Sequence, residues 1–319
     1  MNPYPFSSVR SCVRNHLHAR RMVLSVFWGL FLLSCREIGP PVDLGQSAFR
    51  LDTTYTEGPT TPAPLGILIE EFTGVRCVNC PRAHELIKAL QSDYGTRVMA
   101  AGIHTGFYAT PYQGRKDLRL ETGPSLELML GGALGYPAGT INRQLFAGEN
   151  RLLMADQKWR SHVTALANEL SDLRLTVLPT RYRPASDRLE GSLNLQFSRT
   201  VMSGSTPQNP NTEPLYLTLY LLEDSIQDWQ LNTGGIDSFY WHRHVVRHLL
   251  TPVQGYPLKL PDYQAGRFGA WEFKVLLGPK NPMPDWTHCS LLAVVHQNRL
   301  NELKVVQAAQ LPLVPFSQP

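Results

Sequence analysis

Cys77 and Cys80 sit where an apolar run meets an amphipathic one, and that junction limits the folds open to the chain. Upstream, Leu65-Gly-Ile-Leu-Ile-Glu-Glu-Phe-Thr73 contains the continuous apolar stretch Ile67-Leu68-Ile69, the pattern of a buried strand. Gly74-Val75-Arg76 turns the chain. Downstream, Pro81 suits the first turn of a helix, where its missing N–H costs nothing. Ala83, Leu86, Ile87 and Leu90 then fall on one helical face. The pair is therefore expected at a helix N-terminus directly after a strand. Unpaired N–H groups and the positive end of the helix dipole stabilise an anion there. The attacking species in disulfide exchange is the thiolate. Cys77, at the helix entrance with Arg76 beside it, is expected to be the more acidic and exposed thiol and the nucleophile, and Cys80 the thiol that closes the disulfide.

A CxxC spacing also serves as half a zinc site or as a static disulfide, although no second CxxC completes a zinc site. The order strand, turn, CxxC, helix resembles the redox site of thioredoxin-like folds. That resemblance implies a cis-proline just before a strand facing the cysteines. Tyr136-Pro137, after a predicted helix at Ser125–Leu130, holds that place, with an ordinary turn proline as the other reading. It also implies a buried acid six residues before the first cysteine, which here is Glu71. Buried there, Glu71 would accept a proton from Cys80; the other reading is a surface carboxylate at a strand end. Arg97–His104 reads as the next strand, residues 105–124 as a loop-rich insertion, and Leu152–Leu170 as a closing helix.

From Ser171 the pattern changes to period two. Leu173–Leu178, Leu189–Phe197, Leu215–Leu222 and Trp271–Leu277 alternate, and Leu291–Val295 and a segment near Val305 add two more strands. Their spacing is that of an antiparallel β-sandwich. His242, His244 and His248 would share one face of a strand and form a metal site, but Arg243 and Arg247 beside them disfavour a cation. A hydrogen-bonded cluster is the preferred reading. Trp229, Tyr240 and Trp241 read as core or as an aromatic binding surface.

The N-terminus reads as an address. Arg10, Arg14, Arg20 and Arg21 precede the apolar run Met22–Leu33, which is too short to span a bilayer and fits a signal peptide. Leu32-Leu33-Ser34-Cys35 resembles the lipobox of bacterial lipoproteins, which implies cleavage before Cys35 and acylation of its thiol. A plain secreted protein or an uncut anchor are the other readings. The whole chain carries a formal charge of +4. Those four arginines supply it, so the mature part is neutral and offers no electrostatic attraction to nucleic acid. After Cys35 a Pro- and Thr-rich stretch reads as a tether. Cys289, in a strand-like apolar run, reads as a buried inert thiol.

The stretch Glu71–Pro81, with Gly135-Tyr136-Pro137, Ile141-Asn142-Arg143, His242–Arg247 and Glu302–Ala308, resembles the outer-membrane protein 28 related lipoproteins of gram-negative bacteria. The resemblance implies an outer-membrane lipoprotein with a thioredoxin-like domain. Four segments are expected: a signal peptide over 1–34, a tether over 35–63, an α/β thioredoxin-like domain over 64–170, and an all-β antiparallel sandwich over 171–319. Thiol–disulfide exchange with envelope proteins is the expected activity, through Cys77, Cys80, Pro137 and Glu71. The membrane is the expected partner through Cys35, and no cofactor, metal or nucleic acid is expected. The alternative is a non-enzymatic surface protein of adhesin or antigen type whose disulfide is structural. Val78-Asn79 in place of the Gly-Pro of thioredoxins, and Arg76 in place of their Trp, keep it open.

Overall fold

Continuous apolar runs become strands covered on both faces, and they dominate the molecule. The computed structural model describes residues 48–58, 60–199, 215–260, 263–278, 283–298 and 303–314. The signal segment and Cys35 lie outside the described residues. In chain order the first elements are β1 (Phe49–Thr56), β2 (Ile67–Thr73), helix α1 (Cys80–Tyr94) and β3 (Val98–His104). Then follow α2 (Gly123–Met129), β4 (Ala138–Ile141), α3 (Trp159–Leu166), β5 (Leu173–Val177) and β6 (Arg188–Phe197). The remainder is β7 (Leu215–Glu223), β8 (Ile226–Asn232), β9 (Gly235–His242) and β10 (Val245–Leu249), then β11 (Arg267–Leu276), β12 (Cys289–His296) and β13 (Val305–Pro312).

A nine-stranded sheet runs β13-β12-β7-β10-β3-β2-β4, ends on the short strand Met154–Ala155, and has Tyr256–Leu258 beside β7. Only β2 with β3 and β3 with β10 are parallel pairs among its described strands. A five-stranded sheet runs β1-β11-β6-β5, with Arg181–Arg183 beside β6. The hairpin β8–β9 forms a two-stranded sheet of its own.

Side-chain alternation divides the core. Leu217, Leu219, Leu221, Leu291 and Ala293 pack against Leu193, Leu195, Trp271 and Phe273 of the smaller sheet. Ile67, Ile69 and Ala100 pack under α1 and α3, meeting Ile87, Leu90, Trp159 and Val163. Their strand neighbours Leu68, Phe72, Met99 and Ile103 point the other way, to Leu126, Tyr220, Leu222 and Val294. Burial on both faces is what a continuous apolar run requires.

The expected α/β thioredoxin-like domain followed by an all-β sandwich is not what forms. The chain is mostly β, with several sheets and three α-helices among the described residues. Strands from both expected segments share the nine-stranded sheet, because β10 pairs with β3 on one side and β7 on the other. The His- and Arg-rich sequence of β10 hid this strand: its Arg247 is fully buried and paired with Glu223. The expected tether also contains β1, an edge strand whose Phe49 alone is buried. The closing helix is shorter than its pattern suggested. Met154–Ala155 pairs with β4 and Leu170–Ser171 with Ala63–Pro64, which leaves a 3-10 turn at Asp156–Lys158 and the α-helix Trp159–Leu166.

Candidate functional site

The cysteines lie on the loop joining β2 to α1. Every residue of β2 is buried, so the loop leaves the sheet inside the molecule. Gly74 permits the exit: a Cβ there would stand 2.4 Å from the backbone carbonyl of Tyr108. Cys77 N donates to Gly74 O at 2.9 Å, and Cys80 N to Cys77 O at 3.3 Å. α1 then starts at Cys80 with Pro81 in its first turn. Cys77 and Cys80 are joined by a disulfide. They are 3% and 0% exposed, so Cys77 is buried rather than the exposed thiol expected, and Val78 between them, at 40%, takes the outward place.

The Arg76 guanidinium is held by residues 110–112. Its Nε donates to Thr110 O at 2.7 Å, its Nη2 donates to Pro111 O at 3.0 Å, and its guanidinium lies 4.0 Å over the Tyr112 ring. The Tyr136–Pro137 peptide is cis and Pro137 is buried. β4 begins at the next residue, with Ala138 paired to Phe72, so Pro137 comes level with the end of β2 where the cysteine loop departs. Tyr136 packs against Tyr108 at 5.6 Å and donates to Glu127 at 2.7 Å.

Glu71 is inside the molecule, 2% exposed, and not a surface carboxylate. Its contact is His84, one turn along α1 from Cys80 and on the same helix face. His84 Nε2 lies 3.2 Å from Glu71 Oε1 and 3.1 Å from Thr73 Oγ1. His84 Nδ1 lies 2.6 Å from the Tyr240 hydroxyl. Burial, then the charges of Glu71 and Glu85, push that hydroxyl above its ordinary value. It therefore stays protonated and is hydrogen-bonded to Nδ1. Beyond it, the rings of His104 and His242 meet edge to face at 5.6 Å. Burial, reinforced by neighbouring histidines, holds His104 well below the usual range and lowers His242 to about 4. Both are neutral at pH 7.

The hairpin β8–β9 lies over the cysteine loop. Leu231 N donates to Val75 O at 2.8 Å. The fully buried Gln230 donates through Nε2 to Cys77 O at 3.1 Å and Gly74 O at 3.3 Å. Gln230 comes from 153 residues beyond Cys77 in sequence, which is why it carried no sequence signal as a site residue; Tyr240 was singled out only as core or as part of an aromatic surface. His84 did carry one, its spacing of four from Cys80.

The remaining sequence candidates fall elsewhere. His242 ends β9, His244 has φ +53 in the connection, and His248 lies on β10, so the three share no strand face. No group of three His, Cys, Asp or Glu side chains able to hold a metal occurs among the described residues. Trp229 packs under Arg115, with 4.0 Å to its ring, and Trp241 is 53% exposed. Cys289 is buried on β12, and burial pushes its thiol up.

No family model and no curated protein matches the chain. Among solved structures, HBP35 of Porphyromonas gingivalis is similar, with a TM-score of 0.58 at 19% identity over 82% of each chain. A structural-genomics target from Agrobacterium tumefaciens gives a TM-score of 0.45 at 14% identity, covering 82% of this chain and 99% of its own. The likeness to HBP35 is one of fold.

Proposed function

We propose that the chain is an exported lipoprotein, held on the outer membrane through Cys35, that performs thiol–disulfide exchange at Cys77–Cys80. The observation that carries this reading is the disulfide at the start of α1, with His84 one turn away and Glu71 behind it. In the reduced protein the Cys77 thiolate attacks a substrate disulfide, forming a mixed disulfide and releasing one substrate thiolate. Cys80 then loses its proton toward His84 and Glu71 and attacks Cys77 Sγ. The second substrate sulfur leaves, and the protein is left oxidised as the substrate is reduced. The reverse sequence oxidises a substrate dithiol. Pro137 holds the substrate strand beside the loop. We place the chain with the outer-membrane protein 28 related lipoproteins on the motif around the cysteines; the fold-level likeness to HBP35 supports no more than the architecture.

Burial of both sulfurs favours a second reading, a surface-binding lipoprotein with a structural disulfide. Insulin reduction in the presence of dithiothreitol separates the two. Exchange predicts acceleration by the full chain, none with Cys77→Ser, and a covalent substrate adduct trapped by Cys80→Ser. Equal rates with and without the protein leave the structural reading. For the anchor, Cys35→Ala should release the protein from the membrane fraction, because stable holding needs more than one acyl chain and all of them attach there.

A further inference from the structure

Between α1, the sheet and β9 lies a cavity of about 260 Å³. Ligand pockets run from ~300 to 1,000 Å³, so this one suits a single side chain or a molecule of that size. Glu71 lines it from the sheet, and Glu85 and Asp237 add two more carboxylates. Lys88 already faces Glu85 at 3.5 Å. Arg243 lines the cavity too and is exposed. The wall toward solvent is aromatic: Phe239 is 75% and Trp241 53% exposed.

Glu71 supplies the second, independent observation. Its side chain is 3% exposed, yet Oε1 has no hydrogen-bond partner. The His84 nitrogen stands near in distance but is not aligned on it, being shared with Thr73. A buried carboxylate oxygen without a donor is a vacancy for one. An anion entering here would meet Glu71 directly. A metal ion would need several ligands, and no such group occurs among the described residues. His244, also on the wall, is held neutral by burial and adds no positive charge.

We propose that this cavity binds an organic cation, a primary ammonium or guanidinium on a short apolar stem, with Glu71 as counter-ion and Phe239 and Trp241 as its aromatic wall. Aromatic faces attract such cations through the ring quadrupole. The group is supplied either by a lysine or arginine side chain of another protein or by a soluble amine. The site shares Glu71 and His84 with the exchange chemistry, but binding is read on the oxidised protein without any substrate disulfide, so the two readings fail separately.

The test is calorimetric titration of the full chain with n-butylammonium chloride, with sodium butyrate as the anionic counterpart. Resonances of the Trp241 indole locate the site. Saturable binding of butylammonium is expected, with shifts at Trp241 and no response to butyrate. Glu71→Gln should weaken it by about tenfold, the factor corresponding to ~1.4 kcal/mol. Trp241→Ala, at an exposed position that folding does not need, should weaken it severalfold and covers the case in which the Glu71 variant fails to fold. A lysine peptide acetylated only at its N-terminus, set against its norleucine counterpart, then distinguishes the sources. Discrimination by the side chain points to a protein partner, and binding of butylammonium alone points to a soluble amine. Absence of saturable binding, equal response to butyrate, or unchanged affinity in a folded Glu71→Gln overturns the proposal.

Discussion

Gln230 sets the state of the cysteine loop through two hydrogen bonds from one buried amide. Gln230→Ala removes them and leaves the carbonyls of Gly74 and Cys77 only their bonds within the loop, from Cys77 N and Cys80 N. A typical intramolecular hydrogen bond contributes ~0.5–1.5 kcal/mol net, so unfolding in denaturant should show a loss of about that size for each bond removed. The same variant should let dithiothreitol reduce Cys77–Cys80 faster, because the hairpin no longer seals the loop. Buried histidines set a pH dependence. Burial lowers His242 to about 4, whereas an unfolded histidine titrates near ~6.5. Between these values the unfolded state binds the proton and the folded state does not, so stability falls as pH drops from 6.5 toward 4 and levels below it. Each such group contributes a slope of ~1.4 kcal/mol per pH unit. Thermal melts from pH 7 to 5 should show the decline, and His242→Gln should make it shallower, with His104 and His296 keeping their share.

Elements reveal what the sequence could and could not disclose. β2, α1 and β3 were legible because their apolar residues are contiguous or fall at helical spacing and are buried on the expected sides. Cys77, Cys80 and Glu71 were legible as a group for the same reason, since one strand, one loop and one helix carry them. β10 was not, because Arg247 and His248 mask a strand whose charge is neutralised by Glu223 on the neighbouring β7. β1 was not, because an edge strand buries little and reads as polar linker. Its attachment rests on Phe49, which stacks on Tyr256 at 4.7 Å and packs near Phe273. Phe49→Ala should cost ~3 kcal/mol, read as a lowered denaturant midpoint. Were residues 35–63 only a tether, that substitution would change nothing.

Across the molecule, one sheet carries strands from both halves of the chain, and the hairpin that covers the cysteine loop comes from the later half. Residues 64–170 expressed alone should therefore not fold. Leu68, Phe72 and Met99 would lose Tyr220, Leu222 and Val294 as packing partners, and β3 would present an open edge. Sedimentation should find that fragment aggregated, while residues 48–319 remain monodisperse as the compact unit they form. This arrangement also lets the later half govern access to the cysteines, which makes exchange the central claim to test. The most direct measurement is the reduction potential of Cys77–Cys80 by glutathione redox titration, with Cys77→Ser as control. Exchange predicts a reversible couple above about −300 mV, in the range of known exchange proteins. A disulfide that glutathione does not reduce would contradict it and mark the bridge as structural.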